Sequence, residues 1–262
     1  MRLLIPRKKN SHKGDNGKVL VVGGSKDYVG ALALTGLAAL RTGADIVVIA
    51  APEKVAWAIN CLSPDLITIK VNGEFFSKRH AKKIIEVSKK FDVITIGNGI
   101  GTKQSTMEFV KNVTKHVGKP IVVDADGIKA IRIQDMRDAV ITPHKKELEI
   151  LLKNSGINKN NMQNNLGSNV LLIKGAVDTV ISKDRIYRNK TGNAGMTVAG
   201  TGDVLAGICA GFIAQKVGLF DAACNAAYLN GKIGDLLKKK KGYSFIASDI
   251  VEHIKKLKRI RK

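Results

Sequence analysis

Gly200, Thr201, Gly202 and Asp203 stand inside a stretch, 193–211, dominated by small residues: Asn-Ala-Gly-Met-Thr-Val-Ala-Gly-Thr-Gly-Asp-Val-Leu-Ala-Gly-Ile-Cys-Ala-Gly. A glycine turn that feeds an apolar helix aims several backbone N–H groups, and the positive end of the helix dipole, at one point. That point suits a phosphoryl group in transfer, cradled by Gly200, Thr201 and Gly202. Asp203 is expected at the mouth of the helix, where a carboxylate can take a proton from a substrate hydroxyl. Cradle and base within four residues predict phosphoryl transfer to an alcohol. The plainer alternative is a simple turn in which Asp203 only caps the helix. The run of small residues on to Gly211 favours the first reading, because glycine lets a backbone come close to a ligand.

Other candidate groups close apolar runs. Asp124 and Asp126, in Val-Asp-Ala-Asp-Gly, could hold Mg²⁺ through waters or cap the helix that follows. His144, in Thr-Pro-His, could bond a substrate or serve the fold alone, with Glu147 one turn on. Lys174, backed by Gly175, could reach a phosphate or be a surface lysine. The glycine run 97–101 reads equally as a loose dinucleotide-type pattern or a tight turn. Gly23 and Gly24, with Gly30 and Ala31 opening a helix, are a contact surface for a large ligand or a place of close packing.

These residues need a frame. Short β-branched runs over 18–23, 45–50, 66–71, 92–96, 120–124, 140–142 and 170–174 predict strands, and 179–182 with 185–187 a hairpin. Helical spacing marks 31–42, 80–90, 106–117, 145–153, 203–216, 221–239 and 248–258. Alternating strands and helices predict an α/β fold with a mostly parallel sheet covered on both faces. Ligands in such sheets bind beyond the carboxyl ends of the strands. The glycine clusters at 23–24, 97–101, 174–175 and 200–202 are each expected at such an end, facing one crevice. The stretch 154–169, rich in Asn and Gly, reads as a surface excursion. No linker divides the 262 residues, which points to a single domain.

Apolar residues make up 44% of the chain and aromatics 5%, so the core must be aliphatic. The net charge of +22 fits either a polyanionic partner or a lysine-rich solvated surface. Much of the excess lies at 238–241 and 255–262, with no RNA-binding signature beside it, which favours the solvated surface and no specific nucleic acid. Cys61, Cys209 and Cys224 lack metal-ligand spacing, so no protein metal cage is expected. The charged N-terminus has no apolar leader and no run suits a membrane span. A cytoplasmic protein is expected.

With these pieces in place, 193–211 closely resembles the signature of the NAD(P)H-hydrate dehydratases, a branch of the ribokinase-like fold. Ser-His-Lys-Gly-Asp-Asn-Gly at 11–17, Val-Leu-Val-Val-Gly-Gly-Ser at 19–25, Gly-Asn-Gly-Ile-Gly at 97–101, Val-Val-Asp-Ala-Asp-Gly, Ile-Thr-Pro-His and Leu-Ile-Lys-Gly resemble other family segments in the same order. The likeness runs from about 7 to 234. It implies a three-layer αβα sandwich and a reaction in which ADP, or ATP in eukaryotic relatives, phosphorylates the ring hydroxyl of the S epimer of hydrated NADH or NADPH. Loss of phosphate then restores the double bond, and AMP and phosphate are released. By resemblance, Asp203 is the base, and Ala31, Gly101, His144 and Asp203 contact the hydrated dinucleotide. Lys174, Gly175, Ala176, Val177, Asp178 and Gly202 contact the adenine nucleotide. Two positions depart from the family pattern: Asp178 replaces a threonine, and Asn98 a proline. The resemblance also implies Mg²⁺, a homo-oligomer, commonly a tetramer, and, since the chain starts at the dehydratase segment, no epimerase domain. Two alternatives remain at this point. One is a small-molecule kinase of the same fold, acting on a vitamin precursor or sugar. The other is a nucleic-acid-binding protein on an old enzyme fold.

Overall fold

The computed structural model describes residue 3 and residues 5–257. Nine strands form one sheet: β1 Lys18–Val22, β2 Ile46–Pro52, β3 Ile67–Val71, β4 Val93–Ile96, β5 Ile121–Val123, β6 Ala139–Ile141, β7 Val170–Ile173, β8 Asp178–Ile181 and β9 Ile186–Asn189. Their order is β3-β2-β1-β4-β5-β6-β7-β8-β9. Pairing is parallel from β3 through β7 and antiparallel for β8 and β9. The helices are α1 Val29–Thr42, α2 Glu53–Leu62, α3 Ala81–Ser88, α4 Gln104–His116, α5 Lys145–Ser155, α6 Thr201–Ala214, α7 Leu219–Lys241 and α8 Ala247–Leu257.

Alternate side chains of each strand enter different cores, as the two-residue period of a strand requires. Val19 and Val21 pack with Ile208, Phe212, Ile233 and Ile250 from α6, α7 and α8. Leu20 and Val22 pack on the opposite face with Ile84, Phe109, Val113 and Leu151 from α3, α4 and α5. The result is three layers, the α/β arrangement expected from the sequence.

Helix α6 is the central element of the first core. Every residue from Val204 to Ala214 is buried, as befits a helix that is apolar all round. It packs most extensively on α1. A β-carbon on Gly207 would stand 2.2 Å from the carbonyl oxygen of Thr35, and one on Gly211 would stand 2.6 Å from Thr42 Cβ. The small residues after Asp203 therefore serve helix-to-helix approach, which corrects the expectation that they admit a ligand.

Three further differences are local. Helix α2 has no counterpart among the expected elements. Helix α6 begins at Thr201, not Asp203, so Asp203 lies within its first turn. The turn 200–202 follows a 3-10 segment, Ala194–Thr197, rather than a strand end. The last expected helix is described only as far as Leu257, and the basic tail at 258–262 lies outside the described residues.

Candidate active site

The chain runs outward from β1 to β2 and β3, then returns to place β4 on the other side of β1. Between β1 and β4 the direction of progress reverses, and crevices open at such points beyond the carboxyl ends of the strands. Along that edge β1, β4, β5, β6 and β7 end side by side. They hand the chain to Gly23, Gly97, Asp124, Thr142 and Lys174 respectively.

Gly97 cannot be replaced there. Its φ is +118°, and a β-carbon would stand 2.1 Å from the backbone oxygen of Asp124. Gly23 lets the β1 end touch the next loop in the same way, with the Asn98 carbonyl oxygen 2.4 Å from where its β-carbon would be. Both glycines serve close packing, whereas Gly30, grouped with Gly23 on sequence grounds, has no neighbour within 4 Å of its β-carbon position. Gly99 brings its loop against the start of α1, near Tyr28 and the Ala31 methyl, while Gly101 turns its N–H to Asp126; neither Ala31 nor Gly101 lines the cavity at the start of α6.

A polar network occupies the floor. Lys174 Nζ donates to Asp124 Oδ1 at 2.8 Å and lies 3.8 Å from Glu147 Oε2. Thr142 Oγ1 also donates to Asp124 Oδ1, at 2.6 Å. Asn98 Nδ2 donates both to Asp124 Oδ2 at 2.9 Å and to Asp203 Oδ1 at 2.7 Å. Burial favours the neutral form of Lys174, but the charges of Asp124 and Glu147 outweigh it and raise the pKa. Lys174 is thus a paired ammonium, not a free surface lysine. Burial, helped by the charge of Asp124, pushes the Asp203 carboxyl up to about 6, against the pull of Asn98 and Lys174. A carboxylate near that value is matched to accepting a proton close to neutral pH.

Asp203 enters this network from α6. Gly200 precedes the helix with φ +93°, and the first bond of the helix runs from the Val204 N–H to the Gly200 oxygen. The N–H groups of Thr201, Gly202 and Asp203 therefore have no partner within the helix. Gly200, Thr201 and Gly202 line a cavity of about 790 Å³ whose walls also include His144, Lys174, Gly175, Ala176 and Asp178, with Asp203 just outside that lining. Such a volume suits one nucleotide-sized ligand, since small-molecule sites span roughly 300–1,000 Å³. The far wall, 191–198, is tied to α7: Gly192 N–H and Asn193 Nδ2 donate to the two oxygens of Asp235.

The remaining expected residues divide. His144 caps α5: its Nδ1 accepts from the N–H groups of Lys146 and Glu147, and Glu147 Oε2 accepts from the His144 N–H. The same residue lines the cavity, so its capping role does not remove it from the ligand space. Asp178 lines it too, but its carboxylate closes the turn by accepting from the Gly175 N–H and from Asn189 Nδ2. Burial raises its pKa. Val177 points elsewhere and is exposed. The Thr201 hydroxyl donates back to the Met196 and Val198 oxygens, leaving its N–H as the group that can cradle an anion. Asp126 accepts from the Gly101 N–H and Lys129. Sequence reasoning missed Asn98 as a member of the network. The one signal available was its departure from the family's proline.

The chain matches the sequence profile of the NAD(P)H-hydrate dehydratase family over residues 19–256. It is 40% identical over 258 residues to a bifunctional NAD(P)H-hydrate repair enzyme of Methanocaldococcus jannaschii, a match covering 97% of this chain and 50% of that protein. The chain thus spans about half the length of such bifunctional relatives. It is 34% identical over 242 residues to an ADP-dependent (S)-NAD(P)H-hydrate dehydratase of Natrialba magadii, covering 92% of each chain. Among solved structures, the ADP/ATP-dependent NAD(P)H-hydrate dehydratase from Bacillus subtilis co-crystallised with ATP/Mg²⁺ superposes with a TM-score of 0.81. The identity is 25%, over 98% of this chain and 95% of that one. A ribokinase-like protein of Enterococcus faecalis superposes with a TM-score of 0.83 at 26% identity, over 97% and 90% of the two chains.

Proposed function

The chain belongs to the NAD(P)H-hydrate dehydratase family, and from that membership we propose that it dehydrates the S epimer of hydrated NADH or NADPH with ADP as phosphoryl donor. The observation that carries the reading is one corner of the site. The start of α6 at Thr201 and Gly202 and the Lys174 side chain line one cavity, and Asn98 and Asp124 link the Asp203 carboxylate to the Lys174 ammonium.

The adenine nucleotide lies in the cavity between Lys174–Asp178 and Gly200–Gly202, with its terminal phosphate at the start of α6. The hydrated ring approaches from the side of Ala31, Gly101 and His144. Asp203 takes the proton of the ring hydroxyl, whose oxygen bonds to the terminal phosphorus of ADP as AMP leaves. The N–H groups of α6 and the Lys174 ammonium hold the charge that develops on the migrating group. The reason for phosphorylating is the leaving group: hydroxide departs poorly, phosphate readily. When the C–O bond breaks, phosphate takes the electron pair. The neighbouring ring carbon gives up a proton, and the double bond returns.

Among the described residues no group of acidic, His or Cys side chains forms a resident Mg²⁺ site. Both oxygens of Asp124 are engaged, and the Lys174 ammonium stands between Asp124 and Glu147. Asp126 is likewise engaged by Gly101 and Lys129. Mg²⁺ enters this reading only as the counter-ion that nucleotide phosphates bring, a role the ATP/Mg²⁺ of the Bacillus subtilis neighbour supports.

The test is to mix the protein with chemically hydrated NADH and ADP and follow near-ultraviolet absorbance. Return of the reduced-nicotinamide band, with one AMP and one phosphate per turnover, is expected. Consumption of nucleotide with a stable phosphorylated alcohol as product would make the protein a kinase instead. Among the described residues no helix is long and apolar enough to cross a membrane. The reading extends to a cytoplasmic homotetramer, which sedimentation of the purified chain would test.

A further inference from the structure

Asn98 is fully buried at the end of β4. Its backbone is locked: the carbonyl oxygen accepts from the Gly24 N–H at 2.9 Å and abuts Gly23. A fixed backbone aims the side chain between two carboxylates. The amide nitrogen carries two hydrogens, one directed at Asp124 and the other at Asp203. Turning the amide over would set its oxygen against two carboxylates, so this orientation is the only one that avoids repulsion. The carbonyl oxygen of the amide is buried without a hydrogen-bond partner, which is unfavourable. Core packing alone would not favour such a residue.

The charged groups around Asp203 define the task. Asp124 faces it from the end of β5 and Lys174 from the end of β7. Glu147, on α5, acts on Lys174 from behind. Three carboxylates thus share one ammonium, and Asn98 supplies the neutral N–H groups that the ammonium cannot.

We infer that Asn98 is a positioning residue for the base: it ties the Asp203 carboxylate of α6 to the end of β5, holding one oxygen so that the other is presented to the substrate hydroxyl. The inference rests on the reaction proposed above for its meaning, but its geometry exists without substrate.

Asn98→Leu keeps the bulk and removes both donors. Loss of the N–H is expected to raise the Asp203 pKa, so the acid limb of kcat moves up by about one pH unit. At the optimum kcat falls by about 10- to 100-fold, while KM for ADP stays within about twofold, since Asn98 does not line the cavity. If the leucine variant does not fold, Asn98→Ser keeps one hydroxyl donor and should move the limb the same way by less. An unmoved limb in the folded variant, or kcat and KM for ADP changing in step, would overturn the inference. Titrating the Asp203 side-chain carboxyl carbon by NMR in ligand-free protein separates the two proposals. A displaced titration with no dehydratase turnover in the parent protein would leave the positioning role standing and remove the reaction. Turnover with an undisplaced titration in the variant would do the reverse.

Discussion

The Lys174 ammonium faces the α-carbon of Gly202: a β-carbon placed on that glycine would stand 3.6 Å from Nζ. A strand end and a helix start therefore present a cation and backbone N–H groups to one gap. The gap exists because position 202 has no side chain.

Gly202→Val should fold, since nothing approaches its β-carbon closer than ordinary contact and valine in a first turn costs under about 1 kcal/mol. Its methyl groups would occupy the place proposed for the phosphate. Calorimetric titration is expected to show ADP affinity reduced beyond detection, with Tm nearly unchanged. Undiminished affinity would move the nucleotide elsewhere.

Lys174→Met removes the ammonium that Asp124 and Glu147 share. Two effects should appear together. ADP binds more weakly, and the protein loses about 3 kcal/mol or more, because breaking a buried pair strands its partner. Denaturant unfolding and titration calorimetry measure the two. A variant of full stability would mean that the pair contributes nothing to the fold.

Asp203→Asn should lower kcat by about 10²–10⁴-fold and yet raise stability at neutral pH. The sign follows from the pKa of about 6 against the usual 3.8. The folded carboxyl binds its proton more readily than the unfolded one, so its ionisation weakens the fold. That penalty is complete above about pH 6, shrinks as pH falls toward the unfolded value, and vanishes below it. It amounts to at most about 3 kcal/mol. The asparagine variant should therefore melt higher than the parent near neutrality and converge with it toward pH ~4. Parent turnover should itself decline as pH drops through about 6. Equal melting curves at both pH values would show that Asp203 carries no such penalty.

Gly207→Ala makes the opposite case to Gly202→Val. Its methyl would press on the Thr35 carbonyl, 2.2 Å away, forcing α1 and α6 apart at about 1–3 kcal/mol. Thermal melting should fall, while the folded fraction binds ADP normally. Loss of ADP binding at unchanged Tm would place this glycine at the ligand after all.

What could be read from the chain depended on how far apart the partners lie. Val19 to Val22 and Val93 to Ile96 announce buried strands because the signal is local. The contribution of Lys174 and Asp124 to one corner follows from both ending parallel strands. Helix α2 escaped notice because Trp57, exposed at 58%, and Leu62 blur its apolar stripe of Val55, Ala56 and Ile59. Asn98 was visible only as an unusual residue in a glycine turn, for its partners lie 26 and 105 positions away. Gly202 and Gly207 look alike in sequence, yet one faces a cavity and the other a neighbouring helix. No pattern in the chain separates them.

Since α6 packs on the sheet and on α1, α7 and α8 and is buried from Val204 onward, the proposed base and the turn proposed to hold phosphate are anchored to a closely packed helix. Whatever adjustment accompanies catalysis must come from the incoming molecules or from the outer wall at 191–198. Amide exchange should accordingly be slowest behind Asp203 and quicker across the cavity from it.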